Sequence, residues 1–221
     1  MSQVIVHGVW SSPFYYRVVW ALRLKGIEYN YVEENFPDKS PELLKYNPIH
    51  KKIPVLVHNG HPVCESMVIV EYIDHIWPEN PLLPSDPLQL ANARLWLKFL
   101  DDKTAVYGKL LYGPEKDIKT VTEEVHQIQE TIEEHLLGEG KFLGGDEFGF
   151  LDIAYGTVAI WGEILEEVAG VEKSIENRKY PRLYDWLVNI KEHPVVKQNV
   201  PDREKLISYF KMRRQMVLSS A

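Results

Sequence analysis

Cysteine is almost missing from this sequence: Cys64 is the single one in 221 residues. One thiol cannot build an intramolecular disulfide framework or a multi-cysteine zinc site, and a lone unpaired cysteine fits a reducing compartment better than a secreted one. Positive charge is also scarce, with 25 Lys and Arg against 32 Asp and Glu and a formal net charge of -7. That balance argues against non-specific binding to nucleic acid or to anionic membranes. Long apolar runs are lacking too. The most apolar stretch, Ile153 to Trp161, is bounded by Asp152 and Glu163, far short of the ~20 residues a membrane span needs. The first cationic residue is Arg17, after Pro13, so the N-terminus has neither the charged start nor the apolar core of a signal peptide. The eight histidines show no spacing typical of a metal site, and no bound metal is expected. A soluble cytoplasmic protein is the expectation.

What is present is globular in character. The chain is 45% hydrophobic and 26% charged, which excludes a disordered or collagen-like polymer. Its length suits one large or two modest domains. Val4-Ile5-Val6 predicts a short buried strand, and Val18, Val19, Leu22 and Leu24 repeat helically up to a stop at Gly26. Tyr29 to Glu33 reads as a second strand and Pro41 to Tyr46 as a short helix ended by Asn47-Pro48. Val55 to His58 and His61 to Cys64 flank Asn59-Gly60, the strongest two-residue hairpin signal. Ser66 to Trp77 is helical again. Residues 78 to 87 contain four prolines and mark a stiff boundary. Beyond it only helices are expected, at about 86 to 112, 118 to 136, 150 to 169, 181 to 192 and 202 to 217. In the second of these, Ile118, Val121, Val125, Ile128, Ile132 and Leu136 form one apolar face. The domains are therefore read as 1–79 (α/β), 80–87 (linker) and 88–221 (all-α).

Three short segments carry chemistry. Ser12-Pro13-Phe14 lies between the first strand and first helix, where a serine caps the helix while its hydroxyl faces the crevice at the strand ends. Nothing nearby marks a nucleophile elbow or a paired histidine base, which argues against a serine hydrolase. Ile53-Pro54 precedes the third strand and has two readings. It is a trans proline at a strand start, the commoner state, or a cis bond that turns the amide and carbonyl of Ile53 outward toward an extended peptide ligand. Glu65-Ser66 opens a helix, either as simple capping or as a carboxylate site, with Glu65 able to accept from an ammonium.

Taken in order, Trp10-Ser11-Ser12-Pro13-Phe14, Lys39-Ser40-Pro41, Asn47-Pro48-Ile49-His50-Lys51-Lys52-Ile53-Pro54-Val55-Leu56, Cys64-Glu65-Ser66, Asn80-Pro81-Leu82-Leu83-Pro84 and Gly149-Phe150-Leu151-Asp152-Ile153-Ala154 resemble a soluble glutathione S-transferase of the plant tau class. Each motif alone is weak, whereas the ordered set is specific and spans essentially the whole chain. The resemblance implies an α+β two-domain glutathione transferase fold. Its thioredoxin-like N-terminal domain would carry a mixed four-stranded sheet, its C-terminal domain would be all-α, and two copies would form a homodimer.

It also implies a site. Glutathione presents an ammonium, two carboxylates and a thiol. By resemblance Glu65 and Ser66 hold the γ-glutamyl end, Ile53 and Pro54 meet the cysteinyl backbone, and Lys39 and Lys52 attract the glycyl carboxylate. Ser12 donates to the sulfur and favours thiolate, each pKa unit below the free-thiol value being worth about 1.4 kcal/mol. The electrophile is expected in an apolar cleft between the domains, with Trp10, Pro13 and Phe14 on the first side and Ala105, Lys109, Tyr112, Trp161, Tyr209 and Arg213 on the second. Trp161 and Tyr209 read equally well as core aromatics. Ala105 stands where relatives often carry a larger residue, and Gly149 where they often carry a serine or threonine cap, so Asp152 is read as mainly structural. The expected activity is conjugation of glutathione to hydrophobic electrophiles in detoxification and stress response, with some glutathione peroxidase activity on organic hydroperoxides. Glutathione is a co-substrate, with no permanently bound cofactor. The alternative is a non-catalytic carrier of flavonoids, porphyrins or hormones. A thiol-disulfide reductase of this fold would need cysteine in place of Ser12.

Overall fold

A computed structural model describes residues 3–35, 38–175 and 178–219. The chain divides into two units, Met1–Leu83 with Pro194–Val200, and Pro84–His193 with Pro201–Ala221. In the first, the elements are β1 (Val4–Gly8), α1 (Pro13–Leu24), β2 (Asn30–Glu33), α2 (Pro41–Tyr46), β3 (Val55–His58), β4 (His61–Cys64) and α3 (Ser66–Ile76). The sheet order is β2-β1-β3-β4. β1 and β2 are parallel and need the α1 crossover. β3 runs antiparallel to both β1 and β4. Asn59 and Gly60 both take positive φ, 49° and 83°, as the two central residues of a type I′ hairpin turn require.

Strand side chains alternate between two covered faces. On one, Val55 and Val57 pack with Leu43 of α2, joined by Ile5, Tyr46, Ile53 and Cys64. α1 and α3 pack on each other, with Val18, Trp20, Leu22, Ile69, Val70 and Ile73 fully buried. Past α3, the segment is fastened by charge. Lys25 Nζ donates to the carbonyls of Glu79 and Asn80, each at 2.8 Å, and pairs with Asp74 at 2.6 Å. Asp74 in turn accepts from Leu82 N at 2.8 Å and Leu83 N at 3.2 Å. A fully buried ammonium is tolerated there because its donors are met.

The second unit is helical: α4 (Pro87–Tyr112), a 3-10 turn (Glu115–Asp117), α5 (Ile118–His135), α6 (Phe150–Ala169), α7 (Pro181–Glu192) and α9 (Arg203–Ser219). α6 packs against α4, α7 and α9, which is why it is apolar around most of its circumference. At its start Asp152 is wholly buried and accepts from Leu143 N at 2.9 Å, Gly149 N at 3.0 Å and Trp186 Nε1 at 2.8 Å. Gly149 thus supplies half a capping box through its backbone. The remaining helix, α8 (Pro194–Lys197), corrects the reading of 88–221 as one helical domain. It packs on α1, with Val195 and Val196 buried, and belongs to the first unit.

Candidate active site

Strand register gathers the motif segments. His7 pairs with Val55, Val55 with Cys64, and Gly8 with Glu33. The β1–α1 loop with Ser12, the Ile53-Pro54 approach to β3, the Glu65-Ser66 start of α3 and the segment after β2 that leads to Lys39 therefore all leave one end of the sheet. Four stretches far apart in sequence converge because β1, β2 and β4 run one way and finish at this end, while antiparallel β3 begins there.

Ser12 is the N-cap of α1, with φ -89° and ψ 120° and Pro13 in the first turn. Its Oγ accepts from Tyr15 N at 3.4 Å, a bond that uses an oxygen lone pair and leaves the hydroxyl hydrogen to donate elsewhere. The neighbouring phenol of Tyr15 is turned to Tyr29 Oη at 3.4 Å, and burial first, then that contact, push its pKa well above the ordinary value. Of the two hydroxyls, that of Ser12 stands at the helix N-terminus.

The Ile53-Pro54 bond is cis, the less common of the two isomers. Just before it, Asn47 is buried and braces the loop on both sides: its Nδ2 donates to Lys52 O at 3.0 Å and its Oδ1 accepts from His50 N at 3.1 Å. Lys52 is exposed and Lys39 half-buried. Glu65 takes φ 70°, a left-handed conformation rare for a side chain with a Cβ. Its carboxylate is exposed and lies 3.9 Å from His50 Nε2. Ser66 is buried, and its Oγ accepts from Nη1 of Arg17 at 3.2 Å. Arg17 is itself 1% exposed and holds its guanidinium 5.1 Å from the Phe14 ring centroid. A buried cation thus sits behind the start of α3.

Cys64 donates to Tyr46 O at 3.6 Å. Burial, then the charge of Glu65, raise its pKa, so it stays a thiol and is a poor nucleophile.

The acceptor candidates fall on both units. Trp10 and Pro13 are half-buried, Phe14 is exposed, and Trp10 N donates to Glu33 Oε1 at 3.4 Å. In the helical unit Ala105, Lys109 and Tyr112 are exposed on α4, and Tyr209 and Arg213 are half-buried on α9. Lys109 pairs with Glu124 of α5 at 2.8 Å. Trp161 is a correction: at 2% exposure it lies in the α6 core, because α6 is covered on most sides, and it is not open to a ligand. Arg17 and Asn47 were missed by sequence reasoning. Arg17 reads only as the first cationic residue, and Asn47-Pro48 as a helix stop. Among the described residues, no group of three or more His, Cys, Asp or Glu could hold a metal ion, and no helix is long and apolar enough to cross a membrane.

A mixed four-stranded α/β unit with a cis proline before β3 and a serine at the first helix, followed by a helical unit, defines a glutathione-transferase fold. The family models for the glutathione S-transferase N-terminal domain and C-terminal domain match residues 2–75 and 95–194. A probable glutathione S-transferase of Glycine max is 46% identical over 215 residues, covering 96% of this chain and 95% of that relative. A glutathione transferase of Zea mays is 44% identical over 220 residues, with 98% of each covered. Among solved structures, a tau class glutathione S-transferase of mango (Mangifera indica) superposes with a TM-score of 0.85 at 38% identity, covering 96% of this chain and 98% of that one. A rice enzyme in complex with glutathione gives 0.84 at 31% identity, with 97% of each covered. The chain belongs to the glutathione S-transferase family, within its tau class.

Proposed function

We propose that this protein conjugates the thiolate of reduced glutathione to hydrophobic electrophiles, with Ser12 as the thiolate-stabilising residue. The observation that carries the reading is the convergence of Ser12, Lys39, Lys52, Ile53, Pro54, Glu65 and Ser66 at one sheet end, where their charges complement the tripeptide. Lys39 and Lys52 meet the glycyl carboxylate, Ile53 and Pro54 the cysteinyl backbone, and Glu65 with Ser66 the γ-glutamyl ammonium and carboxylate. Ser12 donates to the sulfur, and the positive end of α1 adds to the preference for thiolate. The nucleophile then belongs to the substrate: sulfur bonds to the electrophilic carbon, and halide leaves or a proton is taken from solvent. Aromatic and cationic side chains among Trp10, Phe14, Lys109, Tyr112, Tyr209 and Arg213 suit planar, electron-poor acceptors. Organic hydroperoxides are a second electrophile class for the same thiolate. Exposed Val68 and Ile76 on α3 supply apolar surface for a homodimer, and the single unpaired cysteine suits a cytoplasmic location.

Steady-state conjugation of glutathione to an activated aryl halide tests the reading. Saturable turnover that depends on both substrates is the expected result. No conjugation across a panel of electrophiles, together with retained affinity for a non-electrophilic flavonoid, would replace it with ligand carriage.

A further inference from the structure

Behind the proposed site lies a buried carboxylate that no glutathione contact requires. Glu34 follows β2 and is 2% exposed, beside His7 of β1 at 4%. Three donors converge on it. His7 Nδ1 lies 2.8 Å from Oε1, Ser40 Oγ donates to Oε1 at 2.7 Å, and Ser40 N donates to Oε2 at 3.0 Å. An ionised carboxylate can only accept, so Nδ1 is the protonated nitrogen of His7. Burial works to raise the Glu34 pKa, but the bonds from His7 and from the Ser40 hydroxyl and amide outweigh it, and the net direction is down. Such a carboxylate, buried but fully bonded, is a strong fixed point.

What it fixes matters. The backbone amide of Glu34 donates to Gly8 O at 2.8 Å, at the end of β1 from which the Ser12 loop departs. Ser40 is the N-cap of α2, and its Oγ accepts from Leu43 N at 3.0 Å. The same hydroxyl therefore gives its hydrogen to Glu34 and its lone pair to α2. Lys39 is bonded covalently to the residue that Glu34 holds by both amide and hydroxyl. The far end of α2 is Asn47, which braces Lys52 O.

We infer that Glu34, oriented by His7, is a positioning residue for glutathione: through Ser40 it sets where Lys39 and α2 stand relative to β1, and so the affinity for the glycyl carboxylate. The inference rests on the proposed glutathione-binding role of Lys39. Glu34 touches no substrate, and its effect reaches the ligand through the lysine.

A double-mutant cycle tests it, read by calorimetric titration of S-methylglutathione and by the separate KM values of the two substrates. Glu34→Gln keeps the shape and loses the charge. It should weaken S-methylglutathione binding and raise the glutathione KM about tenfold, as expected for loss of a charged hydrogen-bond acceptor. The electrophile KM, and kcat at saturating glutathione, should stay within about twofold. Lys39→Ala should also weaken binding, and adding Glu34→Gln to it should cost little more. Ser40→Ala, which keeps the amide bond to Glu34 and loses the hydroxyl, is the milder second variant and should shift affinity in the same sense if Glu34→Gln does not fold. Fully additive effects of Glu34→Gln and Lys39→Ala, or equal losses in kcat and in both KM values, would overturn the inference while leaving Lys39 in the site. An unchanged affinity in Lys39→Ala alone would remove the assignment on which the inference rests, and the inference with it.

Discussion

Tyr15 N donates to Ser12 Oγ at 3.4 Å, so one serine caps α1 with its oxygen while its hydrogen can donate elsewhere. Substitutions can separate the two duties. Ser12→Ala should lose both, at about 1 kcal/mol of stability and about 100-fold in conjugation rate, in line with removal of one preorganised donor. Ser12→Asp retains the cap but opposes a thiolate with a carboxylate. Its thermal midpoint should stay near that of the wild type while conjugation is lost, whereas Ser12→Thr should retain both. Wild-type turnover in Ser12→Asp would take the serine out of the thiolate role.

Lys52 is exposed, so the attraction proposed for it toward the glycyl carboxylate is modest and screened. Lys52→Ala should raise the glutathione KM about fivefold, as expected for one exposed ion pair. The wild-type KM should rise with salt. With glutathione amidated at its glycine, which lacks that carboxylate, wild type and variant should have the same KM. A persistent difference with the amide would place Lys52 elsewhere on the ligand.

The Lys25–Asp74 pair predicts a stability effect far from the chemistry. Their side chains are 0% and 9% exposed. Lys25→Met leaves a buried carboxylate and the carbonyls of Glu79 and Asn80 without their cation, and should cost about 3–5 kcal/mol in urea unfolding. Asp74→Asn added to it should restore part of that loss, because the unpaired charge is gone while the side-chain oxygen still accepts from Leu82 N. A single variant as stable as the wild type would show that the ammonium does not fasten this segment.

Glu166 is 3% exposed and accepts from the amide and hydroxyl of Ser174. Burial, reinforced by nearby Glu163, outweighs those bonds and lifts its pKa from 4.5 to about 7. Between those values the folded carboxyl holds a proton that the unfolded one has released. Stability therefore falls as pH rises through the window, by up to about 1.4 kcal/mol per pH unit, and levels off above it. Glu166→Gln should flatten this slope. Urea midpoints of both proteins from pH 5 to 8 measure the difference, and parallel curves would refute the shifted carboxyl.

Much of this molecule could be read residue by residue. The α5 stripe appears as buried Val121, Val125, Ile128 and Ile132, the Asn59-Gly60 hairpin forms, and Ser12 caps the helix it precedes. These features depend on neighbours within one or two turns, so periodicity and cap chemistry reveal them. The proposed site residues were named for another reason: their motifs resemble a known family in order, while their chemistry taken singly allowed plain capping. What local pattern could not decide was set by contacts between distant segments. Which proline isomer precedes β3 depends on the packing around Ile53, and the fate of Trp161 depends on the helices that cover α6. Arg17 reaches Ser66 across 49 positions, and His7 reaches Glu34 across 27. The sequence by itself determined the elements, their caps and the inventory of charged groups. Tertiary structure decided which of those groups meet, because strand register and burial, acting between segments remote in the chain, choose the partner of each polar atom.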